Sequence, residues 1–330
     1  MNSYGKLFRV SLFGESHGKC VAVTIDGYPA GVSLSEADFE YDLKRRKSGS
    51  DGTTPRIESD KPNIISGIFN GKTTGAPITI IFENKNVHPK DYDIFKDIPR
   101  PGHADFVAMK KFGVFNDYRG GGHFSGRLTI GIVAAGVLAK KIIHPIKISS
   151  ALIEAGGTKN IEMAVEAAIE AGDSIGGIIE CNVKNVPVGL GEPLFDSVES
   201  LISHIVFSIP GIKGIEFGSG FKAAEMRGSK HNDPIINTEG KTSTNNAGGI
   251  NGGITNGNDI IFRVAVKPTS SISLIQHTIN IKTKEMTNLT IEGRHDICIA
   301  LRIPVIVEAA AAIVFADLVM QENKIYRVMR

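Results

Sequence analysis

Segments with strand-like and helix-like apolar periodicity follow one another along the whole chain, and no Ser- or Pro-rich linker separates them. Helical spacing of apolar residues predicts helices at 35–47, 104–112, 129–143, 161–171, 198–208 and 304–320. Alternating or continuous apolar runs predict strands at 7–13, 21–26, 64–69, 77–83, 146–153, 177–183, 212–217 and 260–266. This mixture predicts a single domain of the α/β (α+β) class over residues 1–330.

A faint internal repeat runs through this pattern. Two strand-like stretches are each followed by Pro-x-Gly at the same offset, and two later segments share a Gly-Ile-x-Asn-Gly pattern. The matching segments start at Gly18 and Gly176 and, further along, at Gly67 and Gly253. The shared order predicts two related halves, roughly 1–150 and 151–330, packed as one unit. Chance similarity between glycine and proline turns is the alternative.

Composition excludes several classes of protein. There are 37 Lys and Arg residues against 35 Asp and Glu, and a net charge of +2 speaks against a general nucleic-acid surface. The cysteines form no CxxC pair, so we predict no disulfide framework and no zinc or other metal site. They are Cys20, Cys181 and Cys298.

Two segments bear on the location of the protein. Residues 1–18 contain charged side chains and lack the apolar core of a signal peptide. The most apolar stretch, 303–320, is interrupted by Glu308 and Asp317, which favours a buried helix over a membrane span. We therefore expect a soluble cytoplasmic protein without membrane contact.

Glycine-rich segments that also carry Arg, His or hydroxyl side chains are the main functional signal. Glycine lets the backbone approach a ligand closely or adopt positive φ, and the chain has 37 glycines. Six polar segments stand out, at 13–18, 44–47, 100–105, 117–129, 248–253 with 267–271, and 293–296. Each has an ordinary explanation alone, but their concentration in a nearly neutral chain indicates a site that binds anions and moves protons.

The segments differ in what they offer chemically. The turn at 13–18 presents Ser16 and His17, and a histidine there can act as an acid near neutral pH. Lys44-Arg-Arg-Lys47 fits either a solvated helix end or an anion clamp. The triple glycine at 120–122 ends in no Gly-Lys-Ser/Thr, so it indicates an anion cradle of main-chain N–H groups and not a P-loop.

Taken together, these segments resemble the chorismate synthase family. The matching stretches, in the family's order, are Gly-Glu-Ser-His-Gly at 14–18, Arg-Pro-Gly-His-Ala-Asp at 100–105, Asp-Tyr-Arg-Gly-Gly-Gly at 117–122, Ser-Gly-Arg-Leu-Thr at 125–129, Met-Arg-Gly-Ser at 226–229, Lys-Pro-Thr-Ser-Ser at 267–271 and Gly-Arg-His-Asp at 293–296. Each stretch is short, but the ordered set covers nearly the whole chain and is highly specific.

The resemblance implies a fold and a reaction. The family has a β-α-β sandwich fold of internally repeated character and acts as a homotetramer. It converts 5-enolpyruvylshikimate 3-phosphate to chorismate and phosphate, the last common step of the shikimate pathway to aromatic amino acids. This is a 1,4-elimination that needs reduced FMN (FMNH2) without net redox change.

The resemblance also implies roles for individual residues. His17 is expected to protonate or steady the reduced flavin, His103 to face the leaving phosphate, and Asp296 to help remove the C6 proton by way of flavin N5. Arg46, and with it Arg45, is expected to take a phosphate of the substrate or of NADPH as reductant. Residues expected to hold FMN are His123, Phe124, Ser125, Gly252, Lys267, Pro268, Thr269, Ser270, Ser271 and Arg294. Residues expected to contact substrate anions are Arg45, Arg100, Arg119 and Arg127.

Some positions depart from the family pattern. His123 stands where many members have Arg, Leu128 where they have Glu, and Ile297 where they have Pro. The segment 49–55 is shorter and lacks an Arg that often takes a nicotinamide phosphate. With no insertion of the length that a built-in reductase needs, the monofunctional type is favoured.

Two other functions compete with this assignment. A flavoprotein oxidoreductase could use the same pocket, but no GxGxxG follows a predicted strand. An RNA-binding module built on the Gly/Arg segments is disfavoured by the small net charge and the few aromatic residues outside predicted core positions.

Overall fold

The structure is a computed structural model that describes residues 2–49, 51–54, 58–86, 89–291 and 295–324. The strands, in chain order, are β1 Ser3–Tyr4, β2 Arg9–Gly14, β3 Cys20–Asp26, β4 Asn63–Ile64, β5 Ile68–Phe69, β6 Lys72–Thr73, β7 Ile78–Glu83, β8 Lys147–Ala155, β9 Gly177–Lys184, β10 Ile212–Phe217, β11 Ile250–Asn251, β12 Ile254–Thr255, β13 Ile260–Val266, β14 Gln276–Asn280 and β15 Glu285–Leu289. The α-helices are α1 Glu40–Arg46, α2 Asp105–Phe112, α3 Thr129–Ile142, α4 Ile161–Ala171, α5 Val198–Val206, α6 Gly228–His231 and α7 Pro304–Lys324. Short 3-10 helices occupy Glu36–Phe39, Pro89–Lys96, Gly113–Phe115, Arg119–Phe124, Gly126–Leu128, Leu194–Asp196, Gly220–Glu225 and Ile299–Arg302.

Two antiparallel sheets enclose a layer of helices. The first sheet has the strand order β1-β2-β3-β7-β4 and the second has β10-β13-β9-β8. Helix α3 lies against β3 and along α7, and α7 lies against β8 and β9. Along β13, buried and partly exposed residues alternate, as expected for a strand with one face on the core. The arrangement is a β-α-β sandwich, and the predicted α/β (α+β) class is confirmed.

Helix α7 lies at the centre of this core. It is the one helix within the described ranges that is long and apolar enough to cross a membrane by length and composition. Its residues 305–316 are almost entirely inaccessible to solvent in the folded chain. Burial on all sides explains why the helix lacks a polar face, as the sequence predicted for a core helix.

The two sheets share a detailed hydrogen-bond pattern at the turns that precede β7 and β13. The hydroxyl of Thr73 in β6 donates to a proline carbonyl over 2.7 Å, and that of Thr255 in β12 donates to a proline carbonyl over 2.6 Å. Each hydroxyl also accepts from a backbone amide, at 3.0 and 2.9 Å. The matched neighbours are Pro29 with Pro187, Gly31 with Gly189 and Val32 with Leu190. These bonds support the two related halves, which remain a prediction.

The same bonds correct the register of the sequence repeat. Because Thr73 corresponds to Thr255, Gly71 corresponds to Gly253, whereas the sequence comparison had matched Gly67 with Gly253. The corrected match pairs Gly-Ile-Phe-Asn-Gly-Lys-Thr at 67–73 with Gly-Ile-Asn-Gly-Gly-Ile-Thr at 249–255.

Two other predictions differ from the structure. The strand predicted at 64–69 is broken at Gly67, where φ is +82°, so that β4 pairs with β7 while β5 pairs with β6. The hairpin of β14 and β15 was not predicted, because its strands alternate short polar and apolar residues with little hydrophobic contrast.

Candidate active site

A cavity opens where the ends of several elements meet. It lies between the C-terminal end of α1, the 3-10 turns before α3, the turn after β13 and the segment before α7. Its polar lining comprises Ser16, Arg46, Lys47, Ser48, Thr54, Glu58, Asp60, Tyr92, Arg100, Ser125, Arg127, Thr129, Thr269, His295, Asp296 and Arg302. All six polar segments singled out from the sequence contribute to it, from positions up to about 300 residues apart in the chain.

His17 lies beside this cavity and is 6% exposed. Its ring meets that of Tyr92 edge to face, with centroids 4.8 Å apart. Gly120 covers its other side: φ there is +59°, and an added Cβ would lie 2.2 Å from His17 Nδ1. The triple glycine therefore lets the backbone close over the imidazole, which no residue with a side chain at position 120 allows.

Arg100, His103 and Asp105 form a compact charged group. Arg100 donates to Asp105 from Nε over 2.7 Å and from Nη2 over 2.9 Å. His103 Nδ1 lies 2.6 Å from Asp105 Oδ1, so the carboxylate orients the imidazole. Burial alone raises the pKa of the Asp105 carboxyl, but hydrogen bonds from Arg100 and His103 outweigh it and hold that pKa well below its ordinary value.

Asp60 holds two buried arginines together. Its Oδ2 accepts from Arg46 Nη2 over 3.1 Å, and its Oδ1 accepts from Arg127 Nη1. Burial lowers the pKa of Arg46 to about 10 against the opposing effect of Asp60. Arg46 Nε and Arg127 Nη2 are buried without a hydrogen-bond partner among the described residues. These two donors are available to an anion in the cavity.

The turn at 267–271 is tied to the Arg100 turn. Lys267 Nζ and the Ser270 hydroxyl donate to the carbonyl of Gly102 over 2.7 and 2.8 Å. Arg100 Nη1 donates to the Ser271 hydroxyl over 3.2 Å. Thr269 lines the cavity, and its buried hydroxyl has no partner in the part of the chain that the structure describes.

The segment before α7 contributes Asp296 and two residues without a predicted role. Asp296 Oδ1 accepts from the Thr54 amide over 2.9 Å and from Arg302 Nη1 over 3.1 Å. Arg302 Nε also donates to the Arg46 carbonyl over 3.0 Å, which links this segment to α1. Burial and the charge of Arg100 lower the pKa of His295, whose buried Nε2 has no partner among the described atoms.

Other predicted residues lie at the edge of the cavity or away from it. His123 Nε2 contacts Asn2 Oδ1 over 3.1 Å, beside a second cavity that shares Ser125 with the first. Phe124 is 38% exposed, and Arg119 is paired with Asp117. Gly252 is in the turn between β11 and β12, outside the lining, and Arg294 lies outside the described residues.

Arg45 is not brought to this cavity. Its guanidinium forms a two-bond contact with Glu308 of α7, at 2.6 and 2.7 Å, and also pairs with Asp42. Arg46, the next residue, faces the cavity instead. The geometry therefore does not support the predicted substrate contact of Arg45. It does support that of Arg46, which lines the cavity.

Arg45→Met is accordingly expected to lower stability and spare activity. Glu308 is buried, and losing its forked partner costs about 1–3 kcal/mol. We expect a lower unfolding midpoint in urea, with kcat and KM within about twofold of the parent chain, as for a site without ligand contact. Lys44→Met, at an exposed position on the same helix, is the control. A large rise in KM for Arg45→Met with unchanged stability would restore the substrate contact.

Sequence reasoning missed several residues that build the site. Asp60, Asn84 and Arg302 stand in no recognisable motif, and only their contacts with Arg46, Arg127 and Asp296 reveal them. His295 was visible beside Asp296, but its burial was not. Within the described residues no cluster of three or more His, Cys, Asp or Glu could hold a metal ion.

Comparison with known proteins gives one consistent result. The family model for chorismate synthase matches residues 8–320. A chorismate synthase from Chitinophaga pinensis is 61% identical over 331 residues and covers all of both chains. One from Dehalococcoides mccartyi is 46% identical over 361 residues, covering 100% of this chain and 99% of its own. A crystal structure of chorismate synthase aligns with a TM-score of 0.75 at 27% identity, covering 97% of this chain and 94% of the other.

Proposed function

The chain belongs to the chorismate synthase family, and we propose that the cavity between α1, α3 and α7 is where it converts 5-enolpyruvylshikimate 3-phosphate to chorismate and phosphate. The activity is that of a carbon–oxygen lyase acting on phosphates, in the shikimate pathway to aromatic amino acids. The single observation that carries the location is a set of buried polar atoms without partners among the described residues. They are Arg46 Nε, Arg127 Nη2, Thr269 Oγ1 and His295 Nε2.

These atoms suit the substrate, which carries one phosphate and two carboxylates. An unpaired buried donor costs free energy, and a bound anion would recover it through charge-assisted hydrogen bonds. Arg46 and Arg127 stay fixed by Asp60 while each keeps one guanidinium nitrogen for the ligand. For this reason we assign Arg46 to binding an anion of the substrate, and not to binding the phosphate of NADPH.

Loss of phosphate needs positive charge and a proton beside the leaving oxygen. Arg100 and His103 supply both from one turn, and Asp105 holds the two side chains in place. His17 follows Ser16 in the same turn and is held between Tyr92 and Gly120, where a fixed imidazole can hold or move a proton. Asp296 follows His295 in the chain and lines the cavity with it, and we assign proton removal from the substrate to this carboxylate.

The residues present fit reduced FMN. The Thr269 hydroxyl is buried and unpaired within the described residues, Ser125 lies between two adjoining cavities, and Lys267 borders the same turn. When bound, reduced FMN would supply an electron-rich ring for the elimination, without net redox change. The chain's own part would be to hold FMN with the 267–271 turn and to keep the substrate anions on Arg46 and Arg127.

Large apolar side chains at the surface support self-association. Phe115, Phe195 and Phe221 are exposed by 91, 90 and 83% in the isolated chain. Where such side chains form a contiguous patch, they mark a protein–protein contact. We propose that the protein is a homotetramer located in the cytoplasm. Light scattering would measure the mass of the assembly.

Phosphate release under anaerobic conditions tests the function. With the substrate and FMN reduced by dithionite, phosphate is expected to accumulate while the absorbance of the flavin stays that of the reduced form. An oxidoreductase would instead oxidise one equivalent of flavin for each equivalent of substrate consumed. When the substrate is given with NADPH and oxidised FMN but without dithionite, a monofunctional chain is expected to release no phosphate.

A further inference from the structure

The turn that carries His17 is short and needs external support. The amide of Gly18 donates to the carbonyl of Glu15 over 3.1 Å and closes a four-residue turn with Ser16 and His17 at its centre. The Ser16 amide donates to the Gly122 carbonyl over 3.1 Å. The carbonyls at both ends of the turn point toward the end of β7.

Asn84, the first residue after β7, receives both carbonyls. Its Nδ2 donates to the carbonyl of Glu15 over 2.9 Å and to that of Gly18 over 3.0 Å. Its backbone amide donates to the carbonyl of Lys19 over 3.2 Å. One side-chain amide therefore clasps the two ends of the turn.

The other end of the same amide holds Arg127. Asn84 Oδ1 accepts from Arg127 Nε over 3.1 Å. Arg127 Nη1 is on Asp60, so Nη2 is the nitrogen left for the cavity. The turn with His17 and the guanidinium of Arg127 are thus held at a fixed separation by a single planar group.

This position requires the chemistry of an amide. Two carbonyl acceptors face Nδ2 and one guanidinium donor faces Oδ1, which also fixes the orientation of the amide without ambiguity. A carboxylate would still accept from Arg127 but would turn an acceptor toward the two carbonyls. An alanine would release both partners.

We propose that Asn84 is a positioning residue for the reaction, which sets the imidazole of His17 against the substrate anion held by Arg127. Asn84 is not part of the cavity lining, so we expect it to act through these two side chains and not through contact with substrate or cofactor. The inference rests on the proposed function, because it assigns Asn84 to the geometry of that site.

The test compares Asn84→Asp with the parent chain under the phosphate-release assay. Misplacement of a catalytic group lowers turnover, so we expect kcat to fall roughly 10- to 100-fold with KM changed less than about threefold, since Arg127 keeps its acceptor. Asn84→Ala is expected to lose kcat similarly and also to raise KM. Asn258→Asp is the matched control: that amide also donates to a loop carbonyl, of Gly240 at 3.2 Å, outside the cavity, and its loss should leave both constants unchanged.

A double-mutant cycle separates positioning from a general loss of stability. In the His17→Ala background, adding Asn84→Asp should change the residual turnover less than about twofold, because the group that it positions is gone. A full independent loss in that background, or normal kcat in folded Asn84→Asp and Asn84→Ala, would overturn the inference. A parent chain that releases no phosphate would instead refute the proposed function.

Discussion

Replacing His17 by alanine is expected to lower kcat roughly a hundredfold or more, as for loss of a group that transfers a proton. The imidazole is 6% exposed and is held by Tyr92 and Gly120. Its position is therefore fixed by the surrounding chain. Truncation leaves the Ser16 turn anchored by Gly122 and Asn84, and folding should persist. The measurement is steady-state phosphate release with reduced FMN, beside a thermal unfolding curve.

His103→Ala is expected to reduce turnover to a similar degree, because it removes the imidazole that we propose transfers a proton to the leaving phosphate. His277→Ala, on an exposed position of β14, is the matched control and should have no effect. Near-normal turnover in both His17→Ala and His103→Ala would contradict the roles assigned to them.

Asp60→Asn is expected to produce the largest loss of stability. Asp60 is 4% exposed and is the shared partner of Arg46 and Arg127, so its neutralisation leaves buried positive charge uncompensated. Removing one partner from a buried ion pair costs about 3–5 kcal/mol. Asn tolerates the left-handed backbone at this position, where φ is +50°, so backbone strain does not confound the result.

The loss of stability caused by Asp60→Asn is expected to depend on pH. Burial alone raises the pKa of Asp60, but Arg46 and Arg127 outweigh burial and lower it below the ordinary value. The folded chain therefore binds fewer protons than the unfolded chain, and this stabilisation is complete above the unfolded pKa of about 3.9. It is lost as pH falls through the lower folded pKa.

Urea unfolding between pH 3 and pH 7 measures both effects. The difference in free energy of unfolding between the parent chain and Asp60→Asn should be largest near pH 7 and shrink toward pH 3. Asp26→Asn, at the exposed end of β3, should show no difference at either pH. A gap that grows as the pH falls would contradict the assignment of Asp60 as a buried anion.

Local sequence patterns predicted most of the fold. Helices α3, α4 and α7 and strands β9, β10 and β13 were found within a few residues of their observed bounds, because apolar spacing there is regular and the segments are buried. The short pairings β5 with β6 and β11 with β12 escaped, since two-residue strands carry no periodicity. The repeat between the halves was visible, but its register needed the bonds of Thr73 and Thr255.

The candidate site was predictable where polar residues stand beside glycine. His17, Arg100 and His103 belong to such segments and come together around the cavity. The choice between Arg45 and Arg46 could not be made from sequence. Adjacent residues on a helix point about 100° apart, and the packing of α1 against α3 and α7 decides which one faces the cavity.

Asp60 and Asn84 mark the limit of sequence reasoning in a different way. Both are single polar residues outside any motif, and their roles arise only from partners that lie 14 to 69 positions away in the chain. Such residues become recognisable when the fold places two arginines around one carboxylate, or two carbonyls around one amide.

We propose that this cavity performs an elimination with reduced FMN and no net redox change. The most direct measurement is the ratio of chorismate to phosphate formed anaerobically from 5-enolpyruvylshikimate 3-phosphate, with FMN reduced by dithionite and present in less than stoichiometric amount. We expect equal amounts of the two products, many turnovers per flavin, and no phosphate when reduced FMN is left out. Phosphate formed without chorismate, or product limited to one equivalent of flavin, would contradict it.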